Sequence, residues 1–223
     1  MEIIMENFSA ILQKSGLFEG IEERDILPLL KCLNASEREY VKDETVFYEG
    51  ERASKVGILL SGSVIVARHG YDGNRSVISS VGEGGLIGEA FACSDKRYSM
   101  SVEASASSRI LFLDVNRIVT PCCNACGFHS KIIFNLLRIV ANKNIELSRR
   151  MDVTSKKTTR EKLLYYLSTE AQIRGSKMFT LPYDRQALAD YLDVDRSGLS
   201  SEIGKLKKEG VIDCSKSCFK LLK

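Results

Sequence analysis

Residues 184–210, DRQALADYLDVDRSGLSSEIGKLKKEG, decide how the whole chain is read. Leu188 and Leu192 lie one helical turn apart, the pattern breaks at Asp193, and Leu199, Ile203 and Leu206 open a second apolar stripe at spacings of four and three. The spacing predicts two short helices set at an angle, with the small Ala189 allowing close approach. Asp195 stands where an N-cap belongs, because its carboxylate can accept from the free backbone N–H groups of the turn that begins at Arg196. With the stripe packed inward, Arg196, Ser197, Ser200, Ser201 and Lys205 are left on the outer face of the second helix, and Arg185 opens the first. A helix-turn-helix presents side chains to base edges in the DNA major groove from such a place. Paired amphipathic helices also occur in all-α cores, so the flanking sequence matters. Val211-Ile212-Asp213 and Cys218-Phe219-Lys220-Leu221-Leu222, around the polar run Cys214 to Ser217, read as two short strands, the wing of a winged helix.

Upstream, Thr154 to Lys157 form a polar basic link. Thr158-Thr159-Arg160-Glu161 then opens a helix with a threonine cap and an acid in its first turn, and Gly175 closes it. Leu163, Leu164, Leu167 and Ala171 give this helix an inner face, and Phe179 to Pro182 are extended. Before the link, Ile133, Leu137, Val140, Asn144, Leu147 and Met151 follow alternating spacings of four and three, a heptad seam in which Asn144 takes a register-setting position. A second stripe, Ile132, Leu136 and Ile139, is free to face the chain's own body. The expectation is a long helix over 130–151, packed on its own domain with one side and on a twin helix with the other. The competing expectation is a long core helix in a monomer.

From Glu37 to Val115 the pattern becomes short β-rich runs: 40–41, 45–47, 56–60, 63–67, 76–80, 99–103 and 110–113, punctuated by nine glycines from Gly50 to Gly88. Many short strands with glycine turns predict a double-sheet roll, and Tyr71-Asp72-Gly73-Asn74 is its clearest hairpin turn. Ahead of it, Ile4 to Leu30 place apolar residues at helical spacing, broken at Gly16 and Gly20, which predicts short helices docked on the roll. The fold class is thus α+β, in three parts: a roll with its N-terminal helices over 1–129, a dimerisation helix over 130–153 and a winged helix over 154–223.

Composition supports this division. With 44% hydrophobic and 27% charged residues among 223, the chain can bury a core and is globular. No apolar run approaches the roughly 20 residues that cross a bilayer. The opening Met-Glu-Ile-Ile-Met-Glu lacks the form of a signal peptide, so a cytoplasmic location is expected. Seven cysteines, an odd number, fit a reducing compartment better than a disulfide framework. The net charge of +3 is unevenly spread: residues 1–153 carry 18 Lys and Arg against 20 Asp and Glu, and residues 154–223 carry 14 against 9. The positive half is the half expected to meet phosphates.

The roll glycines Gly50, Gly62, Gly73, Gly82 and Gly88, the Gly88-Glu89 pair, the Thr158-x-Arg160 helix start, and Leu188-Ala189, Asp195-Arg196, Leu199, Ile203, Leu206 and Gly210-Val211-Ile212 occur in the order seen in the Crp–Fnr superfamily of bacterial transcription regulators, which the chain resembles over nearly its whole length. The resemblance implies a homodimer on a two-fold symmetric stretch of double-stranded DNA, RNA polymerase as a partner, no membrane association, and an effector acting through the roll. In the cyclic-AMP-responsive branch the recognition helix begins Arg-Glu and carries a further Arg. Those places are Arg196, Ser197 and Ser201 here, so one guanine contact is retained and the rest of the operator is left open.

The implied effector pocket comprises Gly88, Glu89, Arg97, Tyr98 and Ser99. Cyclic-nucleotide binders of this fold hold the phosphate with an Arg followed directly by Ser or Thr, whereas this chain reads Arg97-Tyr98-Ser99. Counting back from Ala104, Val102 and Met100 along an alternating strand puts Tyr98 at the phosphate position and turns Arg97 away. Ile145-Glu146 stands where the family's cyclic-AMP binders carry a hydroxyl pair. These departures argue against cyclic AMP as the cofactor and leave the effector, a small molecule or a redox signal, unknown. A cyclic-nucleotide-responsive regulator is the alternative. Cys122, Cys126 and His129, at i, i+4 and i+7, are candidate ligands for zinc or haem iron or candidate oxidant sensors, against a plain packing role for small buried thiols. The N-terminal cysteine cluster of the superfamily's iron–sulfur oxygen sensors is absent. A cupin-like metalloenzyme is a remote alternative, because such sites need two or three histidines with a carboxylate and this chain has only His69 and His129. No catalytic residue is expected. A third possibility is an interaction module whose winged helix binds protein.

Overall fold

A computed structural model of the chain describes residues 9–70, 75–94, 96–120 and 127–222. Two compact units emerge, Met1–Ala141 and Asn142–Lys223. The first holds helices α1 (described over 9–14), α2 (Glu23–Cys32), α3 (Glu89–Ala92) and α4 (Val115–Val119) and strands β1 (Ser36–Tyr40), β2 (Thr45–Phe47), β3 (Lys55–Ser61), β4 (Val64–His69), β5 (Arg75–Val81), β6 (Leu86–Ile87), β7 (Ser101–Ala104) and β8 (Ser108–Asp114). The boundary falls within the long helix α5 (Gly127–Thr154), and the second unit continues with α6 (Thr159–Arg174), β9 (Met178–Thr180), α7 (Arg185–Leu192), α8 (Arg196–Lys208), β10 (Ile212–Ser215) and β11 (Cys218–Leu221).

The roll consists of two antiparallel sheets in the orders β1-β8-β3-β6 and β2-β7-β4-β5. Strands β3 and β8 are buried on both faces, and the two-residue period of a strand divides their side chains between two cores. Val56, Ile58, Leu60, Leu111 and Leu113 face a helical layer built from Leu12, Phe18, Ile26, Leu29 and Ile118, joined by Ile132 and Leu136 of α5. Leu59, Ile110 and Phe112 face the other sheet, where they meet Phe47, Val64, Tyr98 and Val102. Gly57 on β3 is required by this closeness, since a Cβ there would lie 2.7 Å from Ile87 Cγ1. Asn135 on α5 is buried and donates to the carbonyls of Leu17 and Glu19, 2.9 Å each, which ties the helix to the loop after α1.

Several boundaries differ from expectation. Strand β1 starts at Ser36 and ends at Tyr40, in antiparallel register with β8, whose Arg109 pairs with both Glu37 and Glu39; Val41 lies outside it and is exposed. Strand β6 is only two residues long, too short to carry a period. Strand β7 begins at Ser101, not Ser99, and α5 extends beyond 130–151 at both ends. The turn at Tyr71 to Asn74 lies outside the described residues, although β4 and β5 on either side of it pair in antiparallel register.

In the second unit Thr158 and Glu161 form a reciprocal capping box at the start of α6, and Gly175, at a φ of +60°, ends it. Leu163, Leu167, Leu188, Ala189, Leu192, Leu199, Ile203, Leu206, Ile212 and Phe219 share one core with Val153 from the last turn of α5. The wing is three-stranded, in the order β10-β11-β9. Its hairpin turns over Lys216-Ser217, two residues tighter than the composition suggested, with Lys216 at a φ of +52°. Cys214 pairs with Phe219 and Ser215 with Cys218, so the two wing cysteines point to opposite faces.

Candidate functional site

Helix α8 is shaped by its caps and its apolar stripe. The Asp195 carboxylate accepts from the Gly198 amide at 2.8 Å and from the Ser197 hydroxyl. These bonds, the hydroxyl first and the amide next, hold its pKa below the usual aspartate value. Leu199, Ile203 and Leu206 are buried, while Arg196, Ser197, Ser200, Ser201 and Lys205 are exposed along the opposite side. Lys205 pairs with Glu202 at 3.3 Å. Arg160 reaches from α6 to both Glu202 and Glu209, so the acids of this helix and its C-cap are neutralised from behind. Arg185 lies over the Phe219 ring and donates to the Lys216 carbonyl at 3.3 Å, which fixes the start of α7 to the wing turn. Asp184 caps α7 through the Ala187 amide, and Asp193, at a φ of +52°, makes the turn between the two helices.

The chamber of the roll has different chemistry. Gly88 sits at a φ of +79° just before α3, and a Cβ on it would meet Phe47 Cε2 at 2.8 Å and Tyr98 Oη at 2.9 Å. Glu89 is buried as the first residue of α3. Tyr98 is 4% exposed, stacked on Phe47 with ring centres 4.6 Å apart and planes 17° apart, and met at its other side by the edge of Phe91. Burial, reinforced by Glu51 and Glu89, pushes the Tyr98 hydroxyl well above the ordinary tyrosine range, so it is a neutral phenol at physiological pH. Arg97 is exposed and its Nη1 donates to the Gly50 carbonyl at 2.8 Å; Ser99 is exposed as well. Of the five residues singled out from sequence, Gly88, Glu89 and Tyr98 come together and Arg97 and Ser99 do not.

The cyclic nucleotide-binding domain model matches residues 37–120 and the Crp-like helix-turn-helix domain model matches residues 161–223. The chain belongs to the Crp/Fnr superfamily. A CRP-like cAMP-activated global transcriptional regulator of Mycobacterium tuberculosis is 33% identical over 79 residues, 35% of this chain and 34% of its own length. The chain thus spans about a third of that relative. The transcriptional activator protein FnrL of Cereibacter sphaeroides is 23% identical over 184 residues, 78% of this chain and 71% of its own. Among solved structures, the catabolite activator protein of Thermus thermophilus has the same fold, with a TM-score of 0.55 at 21% identity over 92% of this chain and 93% of that one.

Cys122 and Cys126 lie outside the described residues. His129 is buried, with Nε2 3.2 Å from the Arg117 carbonyl and 3.9 Å from Cys32 Sγ. Among the described residues no three His, Cys, Asp or Glu side chains converge as a metal site would require. On α5, Leu137, Asn144, Leu147 and Met151 are exposed, whereas Ile133 and Val140 are partly buried against the roll's helical core. Phe134 and Ile145, outside the heptad count, are also exposed. The helix gives Ile132, Ile133, Leu136, Ile139 and Val140 to the roll's side, more than the single stripe of Ile132, Leu136 and Ile139 expected there. No helix among the described residues is long and apolar enough to cross a membrane.

Proposed function

We propose that the protein is a homodimeric, sequence-specific DNA-binding transcription regulator whose roll receives a small-molecule or redox signal and which works in the cytoplasm with RNA polymerase as its partner. In this reading 1–129 sense, 130–153 dimerise and 154–223 bind DNA. The observation that carries it is the exposed row Arg196, Ser197, Ser200, Ser201 and Lys205 on a capped helix whose opposite side is locked into the core. Arg196 is the side chain for a bidentate guanine contact, worth about 1–3 kcal/mol of discrimination. Phe134, Leu137, Ile145, Leu147 and Met151, all at least half exposed on one helix, supply the apolar surface for a twin helix. A cyclic-nucleotide-responsive regulator is the weaker reading, since Tyr98 offers a buried neutral ring where a phosphate needs a cation. The test uses a DNA site selected from a random pool by the full chain. Arg196→Ala should bring affinity for that site close to the affinity for unrelated DNA while light scattering still finds a dimer. Undiminished site preference in the variant contradicts the placement of the reading helix.

A further inference from the structure

Against the stacked Phe47 and Tyr98 rings a cleft of about 210 Å³ opens to solvent. Four aromatic side chains, Tyr40, Phe47, Tyr98 and Phe112, form its walls, and Arg38, Arg52 and Lys55 stand at its rim with one acid, Glu51. All four rings are buried, and all four rim side chains belong to exposed residues. The walls are braced by ring contacts: Tyr40 and Phe112 meet edge to face at 6.3 Å, as do Phe47 and Phe112 at 5.7 Å. Arg38 lies over the Tyr40 ring, 5.5 Å from its centre. Glu51 is turned toward the backbone, its carboxylate 3.5 Å from the Tyr48 amide.

We infer that this cleft binds a small aromatic carboxylate. Aromatic walls hold a flat apolar ring by stacking and edge contacts, and a guanidinium fork matches a carboxylate with two parallel hydrogen bonds. The ring therefore goes in first and the carboxylate stays at the rim between Arg38 and Arg52, with Lys55 adding a third positive charge. At about 210 Å³ the cleft lies below the roughly 300–1,000 Å³ usual for small-molecule sites, so a single ring is the occupant that suits it. The occupant would touch Phe47 and Tyr98, the side chains that close over Gly88, the residue just before α3. The binding claim stands on the cleft alone; only its regulatory consequence rests on reading the roll as the sensor.

The experiment titrates benzoate into the full chain by calorimetry, with acetate, inorganic phosphate and cyclohexanecarboxylate as comparison ligands. Benzoate should bind saturably, acetate and phosphate should not, and cyclohexanecarboxylate should bind several-fold more weakly. Arg38→Gln combined with Arg52→Gln should weaken benzoate about tenfold, the loss expected for a charge-assisted pair; both positions are exposed, and an unchanged melting temperature confirms the fold. Absence of saturable benzoate binding, equal binding of phosphate, or affinity indifferent to the double substitution overturns the proposal. The affinity for the selected DNA site, measured with and without benzoate, reports separately on the sensory reading: binding without any change in that affinity leaves the cleft standing and removes its role as the signal input.

Discussion

The winged helix and the roll are both stable sandwiches of helix and strand, but they place their functional chemistry differently. On α8 the apolar side chains point inward and the polar ones outward, so the reading face is a by-product of packing and is preserved whenever the core is. In the roll the polar groups lie inside, with Glu89 and Tyr98 buried and Gly88 leaving no room for a Cβ. Tyr98 stacks on Phe47 and meets Phe91 edge to face, and Arg97 is left outside on the Gly50 carbonyl. The comparison teaches that a face left over by packing is fixed by the core behind it, whereas a packed interior is altered by any one of its side chains.

The glycines give the largest effects with which to break this comparison. Gly88→Ala should destabilise the protein by about 1–3 kcal/mol in urea denaturation, since the backbone there is left-handed and the plugged chamber has no room for a Cβ. A neutral result would mean that the Phe47–Tyr98 stack is loose. Gly204→Ala should act oppositely: Gly204 lies within α8 with nothing within 4 Å of an added Cβ, so the change should stabilise by up to about 1 kcal/mol. Destabilisation would show that α8 needs a glycine where the structure shows open space.

The smallest effect concerns pH. The Asp195 pKa is depressed in the folded chain, so its capping bonds contribute fully above the ordinary aspartate pKa of about 3.9 and are lost as the pH falls through the lower folded value. Asp195→Asn keeps an acceptor that does not titrate. The variant should match the parent at neutral pH and should lose less melting temperature on acidification. Parallel melting curves from neutral to acid pH would contradict the cap.

The order of elements was legible in the sequence because each rests on a short-range pattern. The spacing of Leu199, Ile203 and Leu206 announces α8, the Thr158 to Glu161 box announces α6, and the glycine-punctuated runs announce the roll. Tyr98 is buried as the count along the sequence expects, but strand alternation is not the cause, because β7 starts only at Ser101. Sites assembled across elements were not legible. The cleft draws on β1, β2, the segment 51–55, Tyr98 and β8, positions that share no spacing, and Arg160 is a partner of Glu202 and Glu209 only once α6 lies against α8. The exposed seam of α5 was partly legible, because two adjacent stripes on one helix do not reveal which belongs to the roll until Ile133 and Val140 are seen against it.

The packed interior of the roll is tested most directly by calorimetric titration of cyclic AMP and cyclic GMP into the full chain, with affinity for the selected DNA site followed in parallel. With Tyr98 seated against Phe47, neither nucleotide should give a saturable heat and the affinity for DNA should not move. Saturable binding of either one, with a matching rise in affinity for DNA, would show that the ring swings aside to admit a phosphate and would contradict the account.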